Sequence, residues 1–158
     1  MKLTILGCAG SIPGPDSPAS GYLITAGDTR VLVDFGNGTL GALQRVADPF
    51  DVDAVLLSHL HPDHCADVAG LTVLRRYHPA PPYPTRQSRL PLFGPDDAPS
   101  RLAALYAPSD AELSETDLSD VFEFHKQPES PVRIGELEVQ AVPVHPVCPA
   151  WGYRITAA

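Results

Sequence analysis

The feature that most constrains the fold of this sequence is a cluster of histidines and one aspartate that directly follows an apolar run. Residues 54–58 (AVLLS) have the composition of a strand buried on both faces, and the motif His-Leu-His-Pro-Asp-His (HxHxDH) comes next. In an extended chain residues i and i+2 point to the same side, so His59 and His61 can present their imidazoles to one ion. A proline then turns the backbone toward a helix, from whose start Asp63 and His64 can reach a second ion. One loop is thus predicted to serve two metal ions.

The ligand types in this loop favour zinc, because imidazole nitrogen combined with carboxylate oxygen suits a borderline-soft ion, while manganese and iron stay open. The competing interpretation is a polar loop with ordinary surface histidines. Three histidines and an aspartate within six residues, placed immediately after a buried strand, argue against it.

A third ligand for the first ion is expected from another strand end, since an open catalytic zinc site has three protein ligands and a water. His145 is the candidate, because it follows the apolar run 137–142 and has a proline close on each side. On the residues alone, a metal ligand and a loop histidine are equally supported at this position. His78 and His125 are weaker candidates: the first ends a helix, where an imidazolium suits the helix dipole, and the second ends a strand near an acidic loop.

Charge and cysteine content limit the partners and the compartment. Eleven basic and nineteen acidic side chains give a net charge of −8, which disfavours nucleic acid as a partner and means that an anionic substrate needs a local positive charge. Three cysteines without a CxxC pair are typical of reduced thiols in a cytosolic protein. The apolar run at the N-terminus has only the length of a strand, so neither secretion nor a membrane span is expected.

Hydrophobic patterning predicts a single α/β domain over residues 1–158 with a mixed sheet. The predicted strands are 2–8, 21–26, 30–34, 54–58, 90–93, 121–125, 132–134, 137–142 and 151–156, and the predicted helices are 39–47, 63–77 and 100–106, with Thr39 as a cap. The Pro-rich segment 79–99 is either a lid or a long connector. The loop 10–20 either lines a substrate pocket or connects two strands.

Five stretches together resemble the metallo-β-lactamase fold. They are LGCAGSIPGPDSPASGYLI, DFGNGTLGALQR, LLSHLHPDHCADVAGL, RRYHP and HPVCPAWGYRI. They look most like actinobacterial members related to the tRNase Z-like branch, a group in which a cyclic-nucleotide phosphodiesterase activity has been described. The resemblance covers essentially the whole chain and implies an αββα sandwich with the metals at one edge between two sheets.

The resemblance also implies roles for individual residues. His145 becomes the third ligand of the first site, and Asp34 becomes a residue beneath the metal loop that orients it, where the residues alone allow a turn-forming aspartate before Gly36. Family members continue to a bridging aspartate and a final histidine, whereas this sequence stops soon after the strand 151–156. We therefore expect a missing second half, or association of two copies, to complete the site, and exposed apolar surface on the isolated chain.

The expected function is a hydrolase that acts on a small anionic phosphoester through a metal-bound hydroxide. His59, His61 and His145 hold the first ion, and the catalytic pair Asp63 and His64 holds the second, with Asp63 also able to accept a proton. The alternatives are tRNA 3′-end processing, which the acidic composition disfavours, thioester or lactam hydrolysis, and an incomplete metal-binding half that acts as a subunit.

Overall fold

Two sheets of short apolar strands form the framework of the molecule. The computed structural model describes residues 1–144 and 149–157. The first sheet has the strand order β1-β2-β3-β4-β5-β6, with β1 to β3 antiparallel and β3 to β6 parallel. Its strands are β1 (Lys2–Gly7), β2 (Gly21–Ala26), β3 (Thr29–Phe35), β4 (Ala54–Leu56), β5 (Leu90–Gly94) and β6 (Phe122–Lys126). The second sheet is antiparallel and contains β7 (Val132–Ile134), β8 (Leu137–Val144) and β9 (Ala150–Ala157).

Short helices connect the strands of the first sheet. They are α1 (Thr39–Leu43), α2 (Pro62–Cys65), α3 (Asp67–Tyr77), α4 (Ala98–Tyr106) and α5 (Asp110–Leu113), with a 3-10 turn at Pro49–Asp51. The helix predicted over 63–77 is therefore two helices that meet at Ala66. No helix in the described part of the chain combines the length and the apolar content that crossing a lipid bilayer requires.

Thr39 is not the N-cap that the sequence predicts for α1. The cap is Gly38, whose φ of 85° lies in the left-handed region that glycine adopts without steric cost. Thr39 is the first helical residue, and its buried hydroxyl donates a hydrogen bond of 2.6 Å to the carbonyl oxygen of Gly36. The threonine therefore stabilises the turn before the helix instead of capping the helix itself.

The core lies on both faces of the first sheet, which confirms the mixed α/β class. Strand β4 shows the arrangement: Ala54 and Leu56 pack against the second sheet, whereas Val55 and Leu57 pack against the helices. This explains why the run is apolar without alternation. The layers are thus helices, mixed sheet and antiparallel sheet, three of the four layers of an αββα sandwich. Exposed apolar side chains occur on the edge strand β1, where Leu3 and Ile5 are each about 60% exposed.

The parallel strands decide which loops lie together. Residues that follow β3, β4 and β5 lie at the carboxyl edge of the sheet, and residues that precede these strands lie at the opposite edge. The histidine motif follows β4, and the loop 10–20 reaches the same edge because Gly21 pairs with Phe35 at the end of β3. The segment 79–89 precedes β5 and so lies at the far edge. It is a connector and does not cover the histidine motif.

A buried arginine attaches this connector to the rest of the molecule. Arg75 of α3 is 2% exposed, and its guanidinium donates hydrogen bonds of 3.1 Å to the Tyr83 hydroxyl and to the carbonyl oxygen of Ser88. The hydroxyl of Tyr83 donates in turn to the carbonyl oxygen of Phe50 at 2.7 Å. The guanidinium also lies 5.6 Å from the ring centroids of Phe50 and Tyr83. These contacts offset part of the cost of burying the cation, whose Nε has no hydrogen-bond partner among the described residues.

Replacing Arg75 with alanine should lower the free energy of unfolding by about 2–4 kcal/mol, because two hydrogen bonds from a buried charged group are lost with the packing around it. Urea unfolding followed by circular dichroism measures the change. Arg89→Ala is the matched control, since Arg89 is exposed and lies in the same segment. Equal stabilities of the two variants would contradict the anchoring role.

Candidate metal centre

The histidine motif spans the junction between an extended segment and a helix. His61 is the last extended residue, with φ −70° and ψ 146°, and Pro62 occupies the first turn of α2, where its missing N–H costs nothing. The carbonyl oxygen of His61 accepts the backbone N–H of His64 at 2.9 Å. His59 and His61 therefore extend from the strand end, and Asp63 and His64 extend from the first turn of the helix.

The four side chains of the motif lie close together. The ring centroids of His59 and His61 are 4.9 Å apart, and those of His59 and His64 are 4.0 Å apart. Nε2 of His64 lies 3.3 Å from Oδ2 of Asp63. Within residues 1–144 and 149–157, no group of three His, Cys, Asp or Glu side chains has the geometry to bind one metal ion. His145, the third ligand predicted for the first ion, lies outside the described residues.

Asp34 lies beneath the motif and bonds to it with both carboxylate oxygens. Oδ1 accepts the backbone N–H of Ser58 at 2.7 Å, and Oδ2 accepts the Ser58 hydroxyl at 2.9 Å and Nδ1 of His64 at 2.7 Å. The residue is 5% exposed, and its φ of 58° lies in the left-handed region. Aspartate tolerates this strained conformation better than most residues, and such strain is typical of functional sites.

Ser58 is a site residue to which the sequence analysis assigned no role. Its hydroxyl donates to Asp34 and lies 3.0 Å from Nδ1 of His59, so it can accept the Nδ1–H of that ring. Its carbonyl oxygen accepts the backbone N–H of Trp151 on β9 at 3.0 Å. The sequence could have indicated this role for Ser58, because a hydroxyl at the end of a buried strand needs a polar partner. Asp34, at the end of another predicted strand, is such a partner.

These hydrogen bonds determine which ring nitrogen each histidine presents. With Nδ1–H of His64 directed to Asp34 and Nδ1–H of His59 directed to Ser58, the neutral forms of both rings present an unprotonated Nε2. A carboxylate that holds the other nitrogen of a histidine is a common support for metal ligands. The arrangement can therefore offer imidazole lone pairs in fixed directions.

The two adjacent rings differ in their tendency to bind a proton. Burial opposes protonation of His64, but the hydrogen bond and charge of Asp34, together with the charge of Asp63, outweigh it and raise the pKa of His64. Burial and the neighbouring His64 lower the pKa of His59, although the charge of Asp34 acts in the other direction. A positive charge on one ring disfavours protonation of the other, so a proton binds His64 in preference to His59.

The turn after β3 approaches α2 so closely that only glycine fits. A Cβ at Gly36 would overlap with the carbonyl oxygen of Asp63. The same carbonyl oxygen accepts the backbone N–H of Ser20 at 3.0 Å. The loop 10–20 is thus connected at its end to the first turn of α2, so that two other chain segments, this loop and the turn at Gly36, contact the backbone of Asp63.

A cavity of about 200 Å³ opens beside the first two histidines. It is lined by His59, Leu60, His61, Pro95, Asp97, Arg101 and Pro149.

The two weaker histidine candidates pack elsewhere. The ring of His78 lies 5.2 Å from the ring of Phe50 at the opposite edge of the sheet, and the ring of His125 stacks on Phe93 at 4.8 Å.

Comparison with known proteins connects this geometry to one family. A family model described as the metallo-beta-lactamase superfamily matches residues 14–150. An uncharacterized protein of Mycobacterium tuberculosis is 51% identical over 159 residues, which are 99% of this chain and 55% of that protein. The ribonuclease Z of Methanopyrus kandleri is 33% identical over 158 residues, which are 98% of this chain and 50% of that enzyme. The chain spans about half the length of the curated relatives it matches.

Solved structures with the same fold include two with high structural similarity. The metallo-beta-lactamase fold protein YhfI from Bacillus subtilis superposes with a TM-score of 0.77 and 26% identity, over 98% of this chain and 58% of that chain. The short form of human tRNase Z superposes with a TM-score of 0.72 and 20% identity, over 99% of this chain and 65% of that chain. At 20% identity the second match concerns the fold alone.

Gly36→Ala should displace the first turn of α2 and lower the melting temperature by several degrees, since the new methyl group meets backbone rather than a flexible side chain. Thermal unfolding measures this effect, and the NMR signals of the histidine rings report whether the motif has moved. Gly41→Ala is the control, because a Cβ there meets nothing within 4 Å. Unchanged histidine signals in Gly36→Ala would contradict the close approach.

Proposed function

Since the chain belongs to the metallo-β-lactamase superfamily of hydrolases, we propose that it is a metal-dependent phosphodiesterase that acts on cyclic nucleotides. The proposal rests on one observation above all. Asp34 holds Nδ1 of His64 at 2.7 Å, and this leaves Nε2 facing Oδ2 of Asp63 at 3.3 Å. Either a proton on Nε2 or a metal cation between the two atoms makes this contact favourable, and the ligand types of the motif support the metal.

The motif residues suit divalent ions by chemistry and by spacing. A nitrogen and an oxygen that are each about 2.0–2.2 Å from one zinc ion lie about 3–3.5 Å from each other, which agrees with the separation of the His64 and Asp63 atoms. We assign these two residues to one zinc ion, and His59, His61 and His145 to another. Manganese or iron would use the same ligand types.

The protein residues have separate tasks in the proposed reaction. When bound, two divalent ions lower the pKa of a water molecule and neutralise charge on the phosphoryl oxygens. The carboxylate of Asp63 can accept a proton from the attacking water, while Asp34 and Ser58 keep the rings of His64 and His59 in their orientations. His64 is then a ligand whose ring stays in place during turnover.

The two sites need further ligands. Two described protein ligands for each ion are fewer than the three of an open catalytic zinc site. We propose that His145 completes the first site, and that residues of a C-terminal half or of a second copy complete the second.

A phosphodiester substrate is supported by the kinship with ribonuclease Z, a relative whose name denotes cleavage of RNA. That relative also makes tRNA 3′-end processing the main alternative. The net charge of −8 favours a small substrate, because a polyanion such as tRNA needs a broad basic surface. Thioester hydrolysis stays open, since the same metal loop serves several reactions on this fold.

A cytoplasmic location agrees with the free thiols of Cys8 and Cys65 and stays a prediction.

Measuring the zinc content and the hydrolysis of 3′,5′-cyclic nucleotides, a linear phosphodiester, a pre-tRNA and a thioester tests the proposal. We expect cyclic-nucleotide hydrolysis in the presence of the completing half, and His61→Ala should abolish it and lower the zinc content. His125→Ala should leave both unchanged, because its ring stacks on Phe93. Faster hydrolysis of pre-tRNA or of the thioester than of cyclic nucleotides would support that alternative function in place of the proposal. An unchanged zinc content in His61→Ala would show that His61 is not a metal ligand.

Ser58→Ala should weaken zinc binding about tenfold, because Nδ1 of His59 loses its acceptor and Asp34 loses a donor. Competition with a chromogenic chelator measures the affinity. Ser119→Ala is the control, since the exposed hydroxyl of Ser119 bonds only to Asp117 among the described residues. An affinity equal to that of the unaltered chain would show that the hydroxyl does not orient the ring.

A further inference from the structure

The cavity beside His59 and His61 has a cationic side chain in its wall. Arg101 comes from α4, one turn after the start of that helix, and lines the same cavity of about 200 Å³ as the two histidines. Pro95 and Pro149 form rigid parts of the wall. A group of a few heavy atoms that touched the histidines would therefore be within reach of the guanidinium.

The guanidinium of Arg101 is available to a ligand. The residue is exposed, and among the described residues its side chain makes no ion pair and no hydrogen bond.

The charge balance of the chain gives this arginine a specific use. The protein carries a net charge of −8, so a positive side chain near the motif adds to the attraction that bound metal ions exert on an anion and opposes the repulsion from the rest of the chain. Arg101 and Asp97 are the charged residues of the cavity wall apart from the two histidines. The aspartate precedes α4 and makes no ion pair with Arg101, so the guanidinium is not neutralised by its neighbour.

We propose that Arg101 binds the phosphate group of the substrate and thereby selects anionic phosphoesters over neutral esters. The planar guanidinium presents parallel N–H donors that match two phosphate oxygens, a geometry that lysine cannot reproduce. This inference rests on the proposed phosphodiesterase function and names the residue that recognises the charge of its substrate. Arg101 would be a substrate-binding residue and would hold no metal.

Calorimetric titration of the zinc-loaded protein with adenosine 5′-monophosphate and with uncharged adenosine tests the proposal. Arg101→Gln should weaken binding of the monophosphate about tenfold and leave adenosine binding unchanged, because only the phosphate meets the guanidinium. Arg101→Lys should recover part of the loss. Arg45→Gln, which removes another exposed arginine, is the matched control and should change neither ligand. Zinc content and melting temperature should be equal in all variants.

The outcomes separate this inference from the function on which it rests. If the unaltered protein, supplied with the completing half, neither binds the monophosphate nor cleaves a phosphodiester, the proposed function is wrong and the inference falls with it. If the unaltered protein does both and Arg101→Gln binds the monophosphate equally well, only the role of Arg101 is wrong. A loss of zinc or of thermal stability in Arg101→Gln would instead assign the residue a structural role and overturn the proposal.

Discussion

The shared carboxylate of Asp34 is the contact on which the candidate site depends. One carboxylate accepts the backbone N–H and the hydroxyl of Ser58 and the Nδ1 of His64, and so joins the ends of two parallel strands. Buried carboxylates are stable when each oxygen has donors, and here the donors are parts of the histidine motif itself. The same three bonds that stabilise Asp34 in its left-handed conformation therefore orient the side chains proposed to bind metal.

The sheets bring the supporting residues to one edge. β4 is buried on both faces, so it holds the start of the motif at a constant position between the helices and the second sheet. The bond from the backbone N–H of Trp151 to the carbonyl oxygen of Ser58 connects the second sheet to that position. The start of the motif is thus packed between the helices and the second sheet. His59 and His61 line the cavity that Arg101 also lines.

Much of the fold could be predicted because its signals are local. Strands β2 and β7 have the predicted bounds, and the ends of the other strands differ from prediction by one or two residues, since alternation and apolar runs depend only on neighbouring positions. The confirmed resemblance to metallo-β-lactamase fold proteins rests on such contiguous motifs. The prediction of Thr39 as the cap of α1 was wrong, because Gly38 occupies the cap position in a left-handed conformation. For residues 79–89 the lid alternative is wrong, because parallel pairing places this segment at the other edge, whereas Pro95 and Asp97 of the same Pro-rich stretch line the cavity beside His59 and His61.

The sequence by itself determined the identity of the candidate ligands, because the i and i+2 spacing of His59 and His61 and the helix start at Pro62 are properties of neighbouring residues. The family resemblance placed Asp34 beneath the loop, but only the tertiary structure decided which atoms contact the ligands. Asp34 and His64 are 30 positions apart, and Arg101 is farther still from the motif. Contacts at such separations depend on which strands pair and in which register, and no local pattern carries that information.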